Sequence, residues 1–230
     1  MQEVLGDVPK PMARIGDRPF LEYLVLHLRK YDVREVILCT GHRWEQVQEY
    51  FGDGQRWGIH ILHSREEALL GTAGALKLAG KLIRTRTVIA MNGDSFLDVN
   101  LTDLVHYHLT KSALATVALA QVPRSSRYGA VTLNEAGEIS SFVEKRQGQE
   151  TMLINGGVYV LDRSLLDRIP EGQVSLETEV FPKLVEKGFY GMIVLGYFVD
   201  IGVSADYDRL KANAEVLQEL LEAKGGRQTC

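Results

Sequence analysis

Residues 87–98, Thr87-Val88-Ile89-Ala90-Met91-Asn92-Gly93-Asp94-Ser95-Phe96-Leu97-Asp98, decide the fold. The apolar run from Thr87 to Met91 has no helical period and ends at a Gly-Asp pair, which predicts a strand buried on both faces of a parallel sheet. Asn92-Gly93-Asp94-Ser95 then falls at its carboxyl end, where open α/β sheets collect ligands. Asp94 would stand at the crevice, with Gly93 letting a ligand approach the backbone. A carboxylate there is a natural ligand for Mg²⁺, a hard cation that prefers oxygen and arrives with a substrate's phosphates. The same Gly-Asp pair also serves in plain turns.

Upstream of this stretch, strand and helix patterns alternate. Leu21, Leu24, Val25 and Leu28 fall at i, i+3, i+4 and i+7, an amphipathic helix within Phe20 to Tyr31. Val36 to Cys39 reads as a buried strand, Trp44, Val47 and Phe51 as a second helix, and Gly58 to His63 as another strand. Ala75, Leu76, Ala79, Leu82 and Ile83 mark a third helix that leads into Thr87. This alternation predicts βαβ units: an α/β, doubly wound, mostly parallel Rossmann-like sheet with helices on both faces. Residues 1–19 hold three of the six prolines and read as a loop with extended pieces.

Downstream the character changes. Asn100 caps a helix carrying Leu101, Leu104 and Val105. Residues 113–122, 128–134, 138–144 and 152–161 are strand-like, with a hairpin turn at Asn134-Glu135-Ala136-Gly137. A smaller mixed or antiparallel part is therefore expected over about 113–160, within a single domain spanning 1–230. Ser175 reads as the N-cap of a helix through Val185 that stops at Gly188. Met192 to Val199 reads as a last strand, and Tyr207, Leu210, Ala214, Leu217 and Leu221 as a final amphipathic helix, after which 224–230 should fray.

Composition excludes several classes. Hydrophobic content of 45% and charged content of 24% suit an ordinary globular core. Thirty acidic and 26 basic residues give −4, with the basic residues scattered, so neither a nucleic-acid surface nor a polybasic membrane anchor is expected. No apolar run nears bilayer length, and no signal-peptide pattern opens the chain, which predicts a cytoplasmic location. Cys39 lies within a strand-like run and Cys230 is last; nothing in the pattern argues for a disulfide between them.

Several short motifs carry chemistry. Lys10 sits between Pro9 and Pro11, where a stiff backbone lowers the ordering cost of meeting an anion; most loop lysines are simply solvated. Gly71-Thr72-Ala73-Gly74 precedes a helix and would expose backbone N–H and C=O groups able to hold an anion or read a base edge. The alternative is a plain turn capped by Thr72. His60 and His63 point to opposite faces of a strand, and His106 and His108 diverge on a helix, so the histidines offer no metal site. Glu144-Lys145, Asn155-Gly156-Gly157 and Asp200-Ile201-Gly202 all fall where strands end or break, the region in which such a sheet keeps its site.

Seven motifs occur in order: Pro9-Lys10-Pro11-Met12, Gly16-Asp17-Arg18-Pro19, Leu70-Gly71-Thr72-Ala73-Gly74-Ala75, Asn92-Gly93-Asp94, Phe142-Val143-Glu144-Lys145, Ile154-Asn155-Gly156-Gly157-Val158-Tyr159 and Asp200-Ile201-Gly202. Together they resemble the sugar-1-phosphate nucleotidylyltransferases, or sugar nucleotide pyrophosphorylases, over nearly the whole chain. Arg127-Tyr128-Gly129, Ser175-Leu176-Glu177 and Tyr197-Phe198-Val199-Asp200 look most like the D-glycero-D-manno-heptose 1-phosphate guanylyltransferases, followed by the mannose-1-phosphate guanylyltransferases. The resemblance implies a nucleotide-diphospho-sugar transferase fold and transfer of a nucleotidyl group, GMP favoured, to a sugar 1-phosphate. It implies a catalytic set of Lys10 on the nucleotide phosphates and Asp94 and Asp200 sharing Mg²⁺. Lys145 would hold the sugar phosphate, Glu144, Asn155 and Gly129 would read sugar hydroxyls, and Gly71, Thr72, Ala73 and Gly74 the base. Asn92, Gly93 and Gly156 complete the implied substrate-binding set. The implied partners are a nucleoside triphosphate and a sugar 1-phosphate; the oligomeric state stays open.

The family opens with an apolar strand and a glycine-rich loop, approximately Gly-Gly-x-Gly-Thr-Arg, ahead of its Pro-Lys-Pro segment. Here Met1-Gln2-Glu3-Val4-Leu5-Gly6-Asp7-Val8 stands directly before that segment. The expectation is a weakened hold on the triphosphate. It keeps a second reading in view, a non-catalytic sugar-nucleotide binding or regulatory relative.

Overall fold

A computed structural model of the chain describes residues 6–123, 130–143 and 151–223. After a short 3₁₀ turn at Lys10–Met12 come β1 (Arg14–Ile15), β2 (Arg18–Pro19), α1 (Phe20–Lys30), β3 (Glu35–Thr40), α2 (Trp44–Phe51) and β4 (His60–Arg65). Next are α3 (Gly71–Ala79), β5 (Thr87–Met91), β6 (Ser95–Leu97), α4 (Leu101–Thr110), β7 (Ala115–Pro123), β8 (Ala130–Leu133), β9 (Ile139–Val143) and β10 (Thr151–Asp162). The chain continues through α5 (Ser164–Asp167), a π-helical turn (Leu176–Val180), α6 (Phe181–Leu184), β11 (Phe189–Val194), β12 (Phe198–Asp200), α7 (Ser204–Ala212) and α8 (Glu215–Glu222).

The contacts group the chain into two compact units. The first comprises Met1–Leu69, Gly93–Phe96 and Val199–Cys230, and the second Leu70–Asn92 and Leu97–Phe198. In the first, β3 and β4 run parallel from Glu35 opposite His60 to Thr40 opposite Arg65. The βαβ connection through α2 buries Val36, Leu38, Val47, Phe51, Trp57 and Ile61 in one apolar cluster. The Phe51 and Trp57 rings meet at 5.1 Å, and full burial of a side chain of this size stabilises by about 2–3 kcal/mol. Lys30 at the end of α1 donates to the Leu220 carbonyl of α8 at 2.7 Å, a cation meeting a helix's unpaired carbonyl end.

The second unit holds a four-stranded sheet of order β11-β7-β10-β5. β11 is parallel to β7, and β10 is antiparallel to both β7 and β5. Three strands thus share a direction and the fourth is opposed. β8 and β9 form an antiparallel hairpin across the Asn134–Gly137 turn. Phe181 and Phe189 stack at 4.7 Å in a core that also takes Val117, Leu119, Tyr159 and Leu161. Asn100 caps α4 as expected: its side chain accepts from Thr102 N–H at 3.0 Å and Asp103 N–H at 3.2 Å.

Five local expectations need correction. β5 is not buried on both faces; only Ala90 is buried, because the strand lies at the edge of its sheet. The expected strand Met192–Val199 is two, β11 and β12, separated at Leu195, whose side chain is left exposed. The helix after Ser175 opens as a π-helical turn and ends at Leu184, short of Glu186, which adopts φ +57°. The final helix is broken at Asn213 into α7 and α8. Cys39 is exposed on β3, yet desolvation by surrounding protein, with Glu66 adding to it, pushes its thiol up to about 11.

Candidate active site

In the first unit the site begins with a backbone pairing. Ile201 N–H donates to the Asp94 carbonyl at 2.9 Å, fixing the two aspartate-bearing turns side by side. The Asp200 carboxylate folds back to accept from Gly202 N–H at 2.7 Å. A Cβ placed on Gly202 would lie 2.8 Å from Asp200 Oδ1 and 3.7 Å from Asp94 Oδ2, so both carboxylates face the same small space. Burial raises the pKa of Asp200; the Gly202 N–H opposes that shift, Asp94 and Asp206 add to it, and Lys10 counters it.

Lys10 starts the 3₁₀ turn, held by Met12 N–H to Pro9 C=O at 2.8 Å and Ala13 N–H to Lys10 C=O at 2.9 Å. Pro11 packs where a Gly93 Cβ would sit, 3.2 Å away. Lys10, Gly93, Asp94 and Asp200 are therefore brought together within this unit. Two carboxylates without a thiol or imidazole suit a hard ion that keeps water and phosphate as its other ligands, so Mg²⁺ fits these residues. Among the described residues no group of three or more His, Cys, Asp or Glu side chains could form a protein cage for a metal.

In the second unit Asn155-Gly156-Gly157 does not end a strand. β10 runs on through it with a bulge: Asn155 pairs with Leu119 and Tyr159 with Val117, so that three residues of β10 lie opposite one of β7. A Cβ on Gly156 would sit 2.5 Å from Leu97 Cδ2 and 2.8 Å from the Ala118 carbonyl, so only glycine allows this approach. Asn155 is half-buried at the bulge. Its Oδ1 accepts from Gly157 N–H at 2.9 Å and its Nδ2 donates to the Tyr159 hydroxyl at 2.8 Å.

The glycine motif before α3 departs from expectation. Gly71 to Gly74 is the first turn of α3 itself, and the N–H groups of Ala73 and Gly74 donate to the Val174 carbonyl at 3.0 and 3.3 Å. Those two donors are spent on the protein. The glycines are there for close packing: Gly71 has φ +70°, and a Cβ on it would meet the Val174 carbonyl at 2.6 Å. Thr72 does not cap α3 either; its hydroxyl accepts from Leu176 N–H at 2.8 Å and donates to Glu177 Oε2 at 2.7 Å.

Glu177 also accepts from Ser175 Oγ at 3.0 Å and from the Tyr159 hydroxyl at 3.3 Å. Burial first, and the nearby Glu177 carboxylate, hold the Tyr159 hydroxyl protonated well above its usual pKa, while hydrogen bonds from Asn155 and Asn92 act the other way. Sequence reading found Thr72, Asn92 and Asn155 but gave Glu177 and Tyr159 no role. Both stood inside quoted motifs, and neither motif told which hydroxyls would converge on the carboxylate. Gly129, Glu144 and Lys145 lie outside the described residues. A cavity of about 850 Å³ opens at the amino end of β5, where Arg84, Thr87, His108 and Asp162 are among its lining; none of the motif residues lines it.

The fold is that of a nucleotidyl transferase. The profile of the family described as nucleotidyl transferase matches residues 6–219, and the chain belongs to that family. It is 37% identical to the D-glycero-alpha-D-manno-heptose 1-phosphate guanylyltransferase of Campylobacter jejuni, covering 90% of this chain and 91% of that one. It is 35% identical to the enzyme of the same name from Aneurinibacillus thermoaerophilus, covering 90% of each. The mannose-1-phosphate guanylyltransferase of Mycobacterium tuberculosis is 36% identical over 89% of this chain, which spans 58% of that protein. Among solved structures, HddC from Yersinia pseudotuberculosis superposes with TM-score 0.82 at 28% identity over 91% of both chains. Its complex with GMP-PN gives 0.81 at 27% identity over the same shares. The chain is thus a sugar-1-phosphate nucleotidyltransferase by family, with the nucleotide-diphospho-sugar transferase fold. No helix among the described residues is long and apolar enough to cross a membrane.

Proposed function

We propose that the protein transfers GMP from GTP to a heptose- or mannose-type sugar 1-phosphate in the cytoplasm, giving a GDP-sugar and pyrophosphate. The observation that carries this reading is the Asp94–Asp200 pair beside Lys10, held by the Ile201-to-Asp94 backbone hydrogen bond. The guanylyltransferase names of the heptose-phosphate relatives and the GMP-PN bound to HddC favour guanine and a heptose.

The chemistry is attack of a sugar-phosphate oxygen on the α-phosphorus of the triphosphate: a P–O bond forms there and the bond to pyrophosphate breaks. Several negative charges are brought together, so the residues required are cations and metal-holding carboxylates rather than a nucleophile. Bound at Asp94 and Asp200, Mg²⁺ would neutralise phosphate charge and orient the α-phosphate. Lys10 supplies a further cation to the nucleotide phosphates. Lys145 is assigned to the sugar phosphate, Glu144, Gly129 and Asn155 to sugar hydroxyls, and the Gly71-Thr72 end of α3 to the base. The raised thiol of Cys39 supplies no nucleophile at neutral pH.

The deciding measurement is pyrophosphate release with Mg²⁺ and pairings of GTP, UTP and ATP with heptose, mannose and glucose 1-phosphates. GTP with heptose 1-phosphate should give a kcat/KM at least roughly tenfold above the other pairs, the ratio a few hydrogen bonds supply. Faster turnover of UTP with glucose 1-phosphate would overturn the guanine and heptose assignment; binding without release would overturn the catalytic one.

A further inference from the structure

We propose that Glu177 is a positioning residue that sets the donor and acceptor polarity of the Asn155 amide, and through it which sugar hydroxyl pattern is accepted. The proposal rests on the reading of Asn155 as a sugar contact and adds a residue that touches no substrate.

The argument is a count of protons. The Thr72 hydroxyl oxygen already accepts from Leu176 N–H at 2.8 Å, and that of Ser175 from Thr178 N–H at 3.2 Å. Both hydroxyl hydrogens are thereby turned to Glu177 Oε2, at 2.7 and 3.0 Å. Tyr159, 1% exposed, accepts from Asn155 Nδ2 at 2.8 Å, so its hydrogen goes to Glu177 Oε1 at 3.3 Å. Three hydroxyls donate and Glu177 accepts from all three. A carboxylate is the one side chain of this length with acceptor capacity at both oxygens and no hydrogen of its own.

That direction propagates to the ligand. With the Tyr159 hydrogen committed to Glu177, its oxygen demands a donor, so Asn155 must present Nδ2 to Tyr159 and Oδ1 to Gly157 N–H at 2.9 Å. Asn155 then has one N–H and the remaining lone pair of Oδ1 with which to meet substrate hydroxyls, in a fixed arrangement. Asn92, the residue two before Asp94, hydrogen-bonds the same tyrosine, so the acceptor also bears on a side chain just past the end of β5.

An isosteric Glu177→Gln change reverses the logic. Its Oε1 can keep Thr72 and Ser175, but its NH₂ must then face Tyr159, whose hydrogen swings to Asn155. The Asn155 amide either flips, leaving Gly157 N–H against another donor, or stays and opposes Tyr159. The amide presented to the sugar is scrambled in both cases, while α3 and its loop keep their bonds. Glu177→Asp keeps an all-acceptor group and preserves the direction.

The test is steady-state kinetics on the full chain together with the side-chain NH₂ resonances of Asn155 by ¹⁵N NMR. Glu177→Gln should raise KM for the sugar 1-phosphate roughly tenfold or more, the scale of one misdirected buried hydrogen bond, with KM for the nucleoside triphosphate changed less than about twofold. It should also displace the Asn155 resonances, and Glu177→Asp should restore most of both. Tyr159→Phe, which removes the relay yet leaves Gly157 holding Oδ1, should have the smaller effect on KM. Unmoved Asn155 resonances in Glu177→Gln, equal rises in both KM values, or a fall in kcat alone would each overturn the proposal. If the wild type turns over no substrate pair, the functional reading fails, and the Asn155 resonances alone then decide whether Glu177 sets the amide.

Discussion

Asp200 is a residue held where it is uncomfortable. Burial, then Asp94 and Asp206, make its charged form less favourable than in the unfolded chain. For a carboxylate with a raised folded pKa, the associated stability is present below the unfolded value and lost as pH rises through the folded one, so at neutral pH the site weakens the fold. Asp200→Asn should therefore raise Tm at pH 7 while lowering Mg²⁺-dependent turnover roughly a hundredfold or more. Added Mg²⁺ should raise Tm of the wild type and leave the variant's unchanged; a fall in Tm on substitution contradicts the electrostatic account. Gly156 behaves oppositely. Its missing Cβ is a packing requirement, with Leu97 and the Ala118 carbonyl at 2.5 and 2.8 Å, so Gly156→Ala should cost about 1–3 kcal/mol in urea unfolding.

At the level of elements, what could be read in advance was whatever depends on neighbours in sequence. The 3.6-residue spacing of Leu21, Leu24, Val25 and Leu28 gave α1, and Asn100 gave the start of α4, because period and capping are local. β10 shows the opposite case. Its apolar ends were visible, but that it passes between β5 and β7 with two extra residues at Asn155–Tyr159 depends on register with strands far away in the chain. The same holds for Gly71 to Gly74: the glycines suggested an anion loop, and the close approach of Val174 to Gly71 and of Gly172 to Gly74 could not be read from them. The end of β10 carries its own test. Asp162 accepts from Ser164 N–H at 2.9 Å and pairs with Arg86 at 3.1 Å, and hydrogen bonding to Ser164 first, then Arg86, brings its pKa down to about 2. A depressed carboxylate stabilises above its unfolded pKa, near 3.8, and that contribution is lost as pH falls through about 2. Asp162→Asn should remove about 1–2 kcal/mol of acid-range slope in urea midpoints measured from pH 5 to pH 2, a range that allows for screening at the exposed Arg86.

Over the whole molecule, the division into two units separates the roles. The carboxylates and Lys10 belong to one, and Thr72, Asn155, Tyr159 and Glu177 to the other. Hydrogen exchange with Mg²⁺ should accordingly slow amides around Gly93–Phe96 and Val199–Gly202 and leave the β8–β9 hairpin unchanged; protection confined to the hairpin would contradict the metal assignment. Asp94, Asn155 and Asp200 could be placed at strand ends and breaks from the sequence. It could not show that the unit boundary falls inside Asn92-Gly93-Asp94, because contact density is a property of the folded chain. That boundary also orders events in time. Asp94 and Asp200 are 106 positions apart, so at roughly 5–20 residues per second about 5–20 s of translation separate them. Nearly all of that interval is spent making Leu97–Phe198, the larger part of the other unit. A nascent chain can begin pairing β7 and β10 while it still lacks half of its metal pair. The crowded Asp94–Asp200 pair is completed only after the strands of the second unit have left the ribosome's catalytic centre.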